Sequence, residues 1–129
     1  MFRDAKAFSG FAVDDIDRAR AFYGDTLGVQ VDDLAGGLLQ LTLGTGARVL
    51  VYPKPDHAPA TFTILNFPVE DIQPAVDQLA ARGVVFERYE GTPAATDEKG
   101  IFRGGGPRIA WFTDPAGNVL SVVESEGPR

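Results

Sequence analysis

Apolar and polar positions change their period along this chain in a way that marks out its elements. Residues 5–13 (AKAFSGFAV) alternate, with Phe8, Gly10 and Ala12 on one face and Phe11 and Val13 on the other, which predicts a strand. The spacing then becomes helical: Ile16, Ala19, Phe22, Tyr23 and Leu27 form one apolar stripe. Asp14 or Asp15 precedes it as an N-cap whose carboxylate accepts the unpaired first-turn amides, and Gly28 stands where a left-handed C-cap is wanted. Three strands are expected next, at 29–33, 38–43 and 47–52, punctuated by Gly36-Gly37 and Gly44-Thr45-Gly46. The order then recurs. A strand at 61–68 leads to a helix at 71–82 that buries Ile72, Ala75, Val76 and Leu79, with Pro74 in its first turn, where a missing amide costs nothing. Strands at 84–90, 107–113 and 118–124 come next, the last two joined by the turn Asp114-Pro115-Ala116-Gly117-Asn118.

The recurrence extends to the residues themselves. Val13-Asp14-Asp15-Ile16 and Val69-Glu70-Asp71-Ile72 open the two helices, and Leu27-Gly28-Val29 and Arg82-Gly83-Val84 close them. The openings lie 56 residues apart and the closings 55, so the frames differ by one residue. A long period present twice predicts a duplicated supersecondary unit rather than a solenoid, which needs three or more repeats. Pro53-Lys54-Pro55-Asp56-His57-Ala58-Pro59 reads as a semi-rigid linker between the copies. We expect one domain over 1–129, with module one at about 5–52, a linker at 53–60 and module two at about 61–124. Two similar halves packed face to face would leave a ligand-binding cleft between them.

Composition narrows the function. A chain of 129 residues can bury roughly two-thirds of its unfolded surface. It has no cysteine, which removes disulfides, thiolate metal sites and cysteine nucleophiles and fits a reducing cytoplasm. No stretch approaches the ~20 apolar residues of a membrane span, and the first eleven residues lack the apolar core of a secretory signal, so a cytoplasmic location and no membrane partner are expected. The net charge of −6, with basic residues scattered, argues against a nucleic-acid partner.

Few residues offer catalytic chemistry. His57 follows Asp56, as a base follows its orienter, but in an extended linker the two side chains diverge, and a solvated linker is the plainer reading. Gly91–Gly106 has little periodicity; a connection this long suits a lid, and Ile101-Phe102 suggests docking on something apolar. Within it Asp97 and Glu98 are candidate acids or bases, against the simpler reading of a charged surface turn. Gly104-Gly105-Gly106 leads into a strand rather than a helix, so it is not a phosphate cradle. Asn66 shares a strand face with Phe62 and Ile64, where an amide can orient a ligand or serve a neighbouring strand. Ser121 lies on the inward face of the last strand with Val119 and Val123.

Two βαβββ units in tandem, carrying Val13-Asp14-Asp15-Ile16, Phe22-Tyr23 with Leu27-Gly28, and Phe112-Thr113-Asp114-Pro115-Ala116-Gly117-Asn118, resemble the vicinal oxygen chelate superfamily. That group contains glyoxalases, extradiol dioxygenases, fosfomycin-resistance enzymes and bleomycin-resistance proteins. The resemblance covers about residues 5–124 and implies an α+β fold in which the two modules form a curved mixed sheet lining a cleft. In metal-dependent members, four inward-facing His or Glu side chains converge from equivalent strands. Carried over by position, these ligands fall at Phe8, at Leu50 or Val51, at Ile64 and at Ser121, none of them a His or Glu. One histidine and no cysteine say the same of any imidazole or thiolate site. Carboxylates are almost absent from the expected strand interiors, with Glu87 the main exception and Glu124 at a strand end.

The resulting expectation is a protein without metal or other cofactor that binds a small apolar or aromatic molecule by sequestration or sensing. Phe8, Tyr52, Phe62, Ile64, Asn66, Trp111 and Ser121 would line the site, and the 91–106 loop would partly close it. The resemblance also implies a homodimer. The alternative is a metal-independent or atypical-metal isomerase or lyase acting on a small carbonyl compound, with its acid and base drawn from Asp97, Glu98, His57 and Tyr52.

Overall fold

The computed structural model describes residues 1–89, 91–92 and 96–125. The chain divides into two compact units, Met1–Ala58 and Pro59–Arg129, and the boundary falls inside the proline-rich linker. Unit one contains β1 (Ser9–Val13), α1 (Ile16–Ala21), a π-helical turn (Phe22–Thr26), β2 (Gln30–Leu34), β3 (Leu38–Thr42) and β4 (Arg48–Pro53). Unit two contains β5 (Thr63–Val69), α2 (Ile72–Ala81), β6 (Ile101–Phe102), β7 (Ile109–Thr113) and β8 (Val119–Glu124). Each unit forms a four-stranded mixed sheet of the same topology, in the order β1-β4-β3-β2 and β5-β8-β7-β6. The first strand runs parallel to the last, and the other pairs are antiparallel. The expected tandem βαβββ architecture is therefore the one observed.

In unit one a single sheet face carries the core. Leu39, Leu41, Val49 and Val51 are buried there, and the ring of Phe11 on the same face meets Tyr23 from the helical segment at 5.6 Å. In unit two the equivalent face carries Ala110, Phe112, Leu120 and Val122, with Phe86 packed edge-on to Phe112 at 5.6 Å. The caps agree with the sequence reading. Asp15 Oδ1 accepts the amides of Asp17 and Arg18, and Asp71 Oδ1 accepts that of Gln73. Gly28 and Gly83 close the helical segments at φ 73° and 91°.

The frame difference of one residue has a structural cause. In the π-helical turn the amide of Leu27 reaches back five residues to the carbonyl of Phe22, at 2.9 Å. A wide turn absorbs one extra residue without rotating the chain beyond it. The equivalent helix α2 is regular over its ten residues, so the extra residue of module one sits in that turn.

Three hairpin connections share one geometry. In Leu43–Ala47, Asp97–Ile101 and Asp114–Asn118, the first residue's carbonyl accepts the fourth residue's amide at 2.8–3.0 Å. The first residue's amide in turn donates to the fifth residue's carbonyl, also at 2.8–3.0 Å. The fourth residue is glycine each time, Gly46, Gly100 or Gly117, at φ 87°. This is the three-residue hairpin loop that ends in a glycine bulge. In the two aspartate-led turns, Oδ1 also accepts the amides of the third and fifth residues: Lys99 and Ile101 for Asp97, Ala116 and Asn118 for Asp114, all at 2.9–3.0 Å.

Several expectations need correction. The strand expected at 84–90 is reduced to a bridge between Phe86 and Phe112, because Ile101–Phe102 pairs with Ala110 and Ile109 and takes the rest of that edge of β7. Residue 90 of that expected strand lies outside the described residues, as do 93–95 of the long loop. Strands expected from residues 5 and 61 begin at Ser9 and Thr63, which leaves Phe8 and Phe62 outside them, each 69% exposed. The alternation drawn through Phe62, Ile64 and Asn66 breaks at a register shift between Thr63 and Leu65, so Thr63, not Ile64, pairs with Val119.

Candidate functional site

With one face of each sheet given to its helix, the other face is where side chains are available to a ligand. In unit one, Gly10 pairs with Leu50 and Ala12 with Tyr52 on this open face, while Val51 faces the core. Of the two candidates Leu50 and Val51, Leu50 is the one on this face. Gln40 pairs with Leu50 and Asp32, Thr42 with Arg48 and Gln30, and Leu38 with Leu34, so this face is small and polar apart from Leu34, Leu38, Leu50 and Tyr52. Phe8 precedes the strand and Tyr52 lies near the end of β4.

The open face of unit two is different. Asn66 on β5, Ser121 on β8 and Trp111 on β7 sit side by side in register. Ser121, fully buried, donates its hydroxyl hydrogen to Asn66 Oδ1. That bond fixes the amide orientation and turns Nδ2 outward with no partner among the described residues. Ser121 is thus committed, and Asn66 is the group left with a donor to offer. Trp111 is half-buried and touches two further rings, Tyr89 at 5.4 Å and Phe102 at 5.9 Å between centroids, both inclined to it. Gly104 packs so closely on the Phe102 ring that a Cβ there would lie 2.7 Å from it, which gives this first glycine of the triplet a packing role.

Tyr89 is held in an unfavourable conformation. Its φ is 47°, and it is the one non-glycine residue with positive φ among those described. For a bulky side chain this costs about 1–2 kcal/mol, and the ring contact with Trp111 helps offset it. Burial, and secondarily the carboxylate of Glu87, push the Tyr89 hydroxyl above its ordinary tyrosine value. The sequence pattern singles out neither Tyr89 nor Phe102 as a site residue. It carries the Ile101-Phe102 signal, but not the partner of that segment on β7.

Of the candidate acids and bases, Asp97 is committed to its own turn, and Glu98, His57 and Tyr52 lie apart from it. Asp97 is the centre of its turn: besides the two amides, its Oδ2 accepts from Arg103 Nε at 2.9 Å. Burial pushes its carboxyl up, but the Ile101 amide, Arg103 and the Lys99 amide together outweigh this and hold it below the ordinary value. Lys99 beside it pairs with Asp77 of α2 at 3.2 Å, and Gly100 lies against Phe86. Residues 97–100 therefore lean on the helical side of the sheet, and among the described residues Phe102 and Tyr89, at the ends of the loop, reach the open face. Glu98 is exposed and helps line a groove of about 300 Å³ on that helical side, with Val76, Asp77 and Lys99. Asp56 bonds Lys54 Nζ at 2.7 Å, so it does not orient His57, whose Nε2 is buried without a hydrogen-bond partner among the described residues. Tyr52 is exposed and pairs across from Ala12.

The family's metal does not fit these residues. Phe8, Leu50 and Ile64 have no side-chain donor atoms, and the Ser121 hydroxyl is spent on Asn66. The described residues contain no group of three or more His, Asp or Glu side chains placed to hold an ion.

A family model, Glyoxalase/Bleomycin resistance protein/Dioxygenase superfamily, matches residues 8–122. The chain belongs to this superfamily. Among solved structures it is similar to a putative glyoxalase family protein from Bacillus anthracis, at 18% identity and a TM-score of 0.67, over 98% of this chain and 100% of that one. It is also similar to TnmS3, an antibiotic binding protein from Streptomyces sp. CB03234, at 23% identity and a TM-score of 0.65, over 95% and 98%. The fosfomycin resistance protein FosX from Listeria monocytogenes aligns at 11% identity and a TM-score of 0.68, over 96% and 95%. Identities this low establish the fold alone. No curated protein matches the chain significantly.

Proposed function

We propose that this protein binds a flat, apolar or aromatic small molecule without transforming it, and acts by sequestration or sensing. The observation that carries the reading is the open face of the second sheet, where Trp111, Tyr89 and Phe102 form one aromatic surface beside the fixed amide of Asn66. Aromatic rings supply contact area, and one oriented polar group fixes the pose. The commitment of Asp97 to its turn weighs against one of the four acid or base candidates of the isomerase or lyase reading. The likeness to an antibiotic binding protein is consistent with a binding role. The protein would work in the cytoplasm as a homodimer.

A panel of aromatic compounds screened by thermal shift tests the proposal, since a ligand that binds only the native state raises its melting temperature. Hits should quench the single tryptophan and be lost in Trp111→Leu. Stoichiometric metal in protein purified without chelator, or a clear shift with one of Ni, Zn, Mn, Mg or Fe(II), would overturn it.

A further inference from the structure

The strand interiors promise two carboxylates, Glu87 and Glu124, and the structure treats them in opposite ways. Glu124 is used by the fold: Oε2 accepts the Ile72 amide at the start of α2 at 3.0 Å, and Oε1 lies 3.8 Å from Arg108 Nη1. Glu87 is not. Phe86 bridges Phe112 on the core face, and the Glu87 amide donates to the Trp111 carbonyl at 2.7 Å. The next pair along, Glu87 and Trp111, therefore stands directly opposed on the open face, the arrangement in which cross-strand side chains meet. The Glu87 residue is partly exposed, and its carboxylate has no ion pair or hydrogen bond among the described residues. Nearby cations are spoken for. The Arg88 guanidinium bonds the carbonyls of Asp97 and Glu98, Arg103 bonds Asp97, and Arg108 faces Glu124. Burial first, and the Glu87 carboxylate second, push the Tyr89 hydroxyl above its ordinary value, in keeping with that placement.

An unpaired carboxylate beside an aromatic surface is a natural partner for a cation. Aromatic faces attract cations through the ring quadrupole, and they favour weakly hydrated alkylated ammonium groups. We propose that Glu87 and Trp111, with Tyr89 and Phe102 against the indole, form a subsite for the positively charged group of an organic ligand, an alkylated ammonium. This rests on the aromatic-binding reading and adds a charge to the ligand it describes.

The test uses two probes of nearly identical shape on the full chain, benzyltrimethylammonium and its neutral isostere neopentylbenzene, titrated against Trp111 fluorescence. The cation should bind about tenfold more tightly. Glu87→Gln should abolish that preference while leaving the affinity for neopentylbenzene unchanged. Equal affinities in the unaltered protein would overturn the cation subsite and leave the aromatic-binding proposal standing, as would a preference that survives Glu87→Gln. If neither probe perturbs Trp111, both proposals fall. The comparison of probes on the unaltered protein decides the matter even if the variant folds poorly.

Discussion

The two modules repeat each other in strand order, capping and core, and differ most on the sheet face turned away from the helix. Module one presents Gly10, Ala12, Gln40 and Thr42 there, with the aliphatic Leu34, Leu38 and Leu50 and one ring, Tyr52. Module two presents Trp111 with Tyr89 and Phe102, beside Asn66, Ser121 and Glu87. The core face is constrained by the requirement to bury a helix stripe, so both copies keep it apolar. The open face carries no such demand, and there the copies have diverged. A shared topology says where side chains can be offered, and the side chains themselves decide what is recognised.

The largest effects should come from the features the modules share. Phe112→Ala in module two and Leu41→Ala in module one both empty fully buried core positions, and each should cost about 2–5 kcal/mol in denaturant unfolding. Trp111→Ala on the open face should cost clearly less. A loss equal to that of Phe112→Ala would mark Trp111 as core and erase the contrast between the faces.

The hairpin turns sharpen the comparison on a smaller scale. The Asp114 carboxylate is buried and accepts two backbone amides and the Asn118 amide group at 2.9–3.0 Å, whereas the equivalent turn of module one offers only Thr45 Oγ1 to the Ala47 amide at 3.2 Å. Asp114→Ala leaves buried donors unsatisfied and should cost about 2–3 kcal/mol, against about 0.5 kcal/mol for Thr45→Ala. Chemical denaturation of both variants checks the ratio.

The smallest effect is a pH dependence carried by Asp97 of module two. The folded-state pKa of Asp97 lies below its ordinary 3.8, so its stabilising contribution is complete above that value and is lost as pH falls through the folded pKa. Asp97→Asn should flatten this acid limb slightly in an unfolding series below pH 4 and leave the neutral region with a constant offset. A mutant curve parallel to the parent's at every pH would show that the carboxylate is not held by its amides.

Much of this fold is legible in the residues, because the helix stripes, the aspartate caps and Gly28 and Gly83 are local signals that tertiary packing did not overrule. The turn at Asp97 is equally legible, although a reading of 91–106 as one aperiodic loop passes over it: Asp97-x-x-Gly100 repeats the pattern of Asp114-x-x-Gly117, down to the glycine at φ 87°. The fate of 84–90 is not legible. Its apolar run has strand character, but pairing depends on which segment wins the edge of β7, and the competitor Ile101–Phe102 lies some fifteen positions on. The open face suffers from the same limit. Whether Leu50 or Val51 faces outward depends on parallel pairing with Gly10, and one residue of register inverts every assignment along the strand. Tyr89 reaches Trp111 through a left-handed backbone that no side-chain pattern announces.

The wide turn at Phe22–Thr26 bears on the history of the chain. One additional residue, held in a single loop of helix, amounts to the gain or loss of one codon after the ancestral unit was copied. The bulge let both ends of the segment keep their places while the count between them changed. It is a scar that distinguishes the copies where their motifs are alike. An alignment of the halves should open its gap there, within Phe22–Thr26, and residues on either side of it can then be compared one for one.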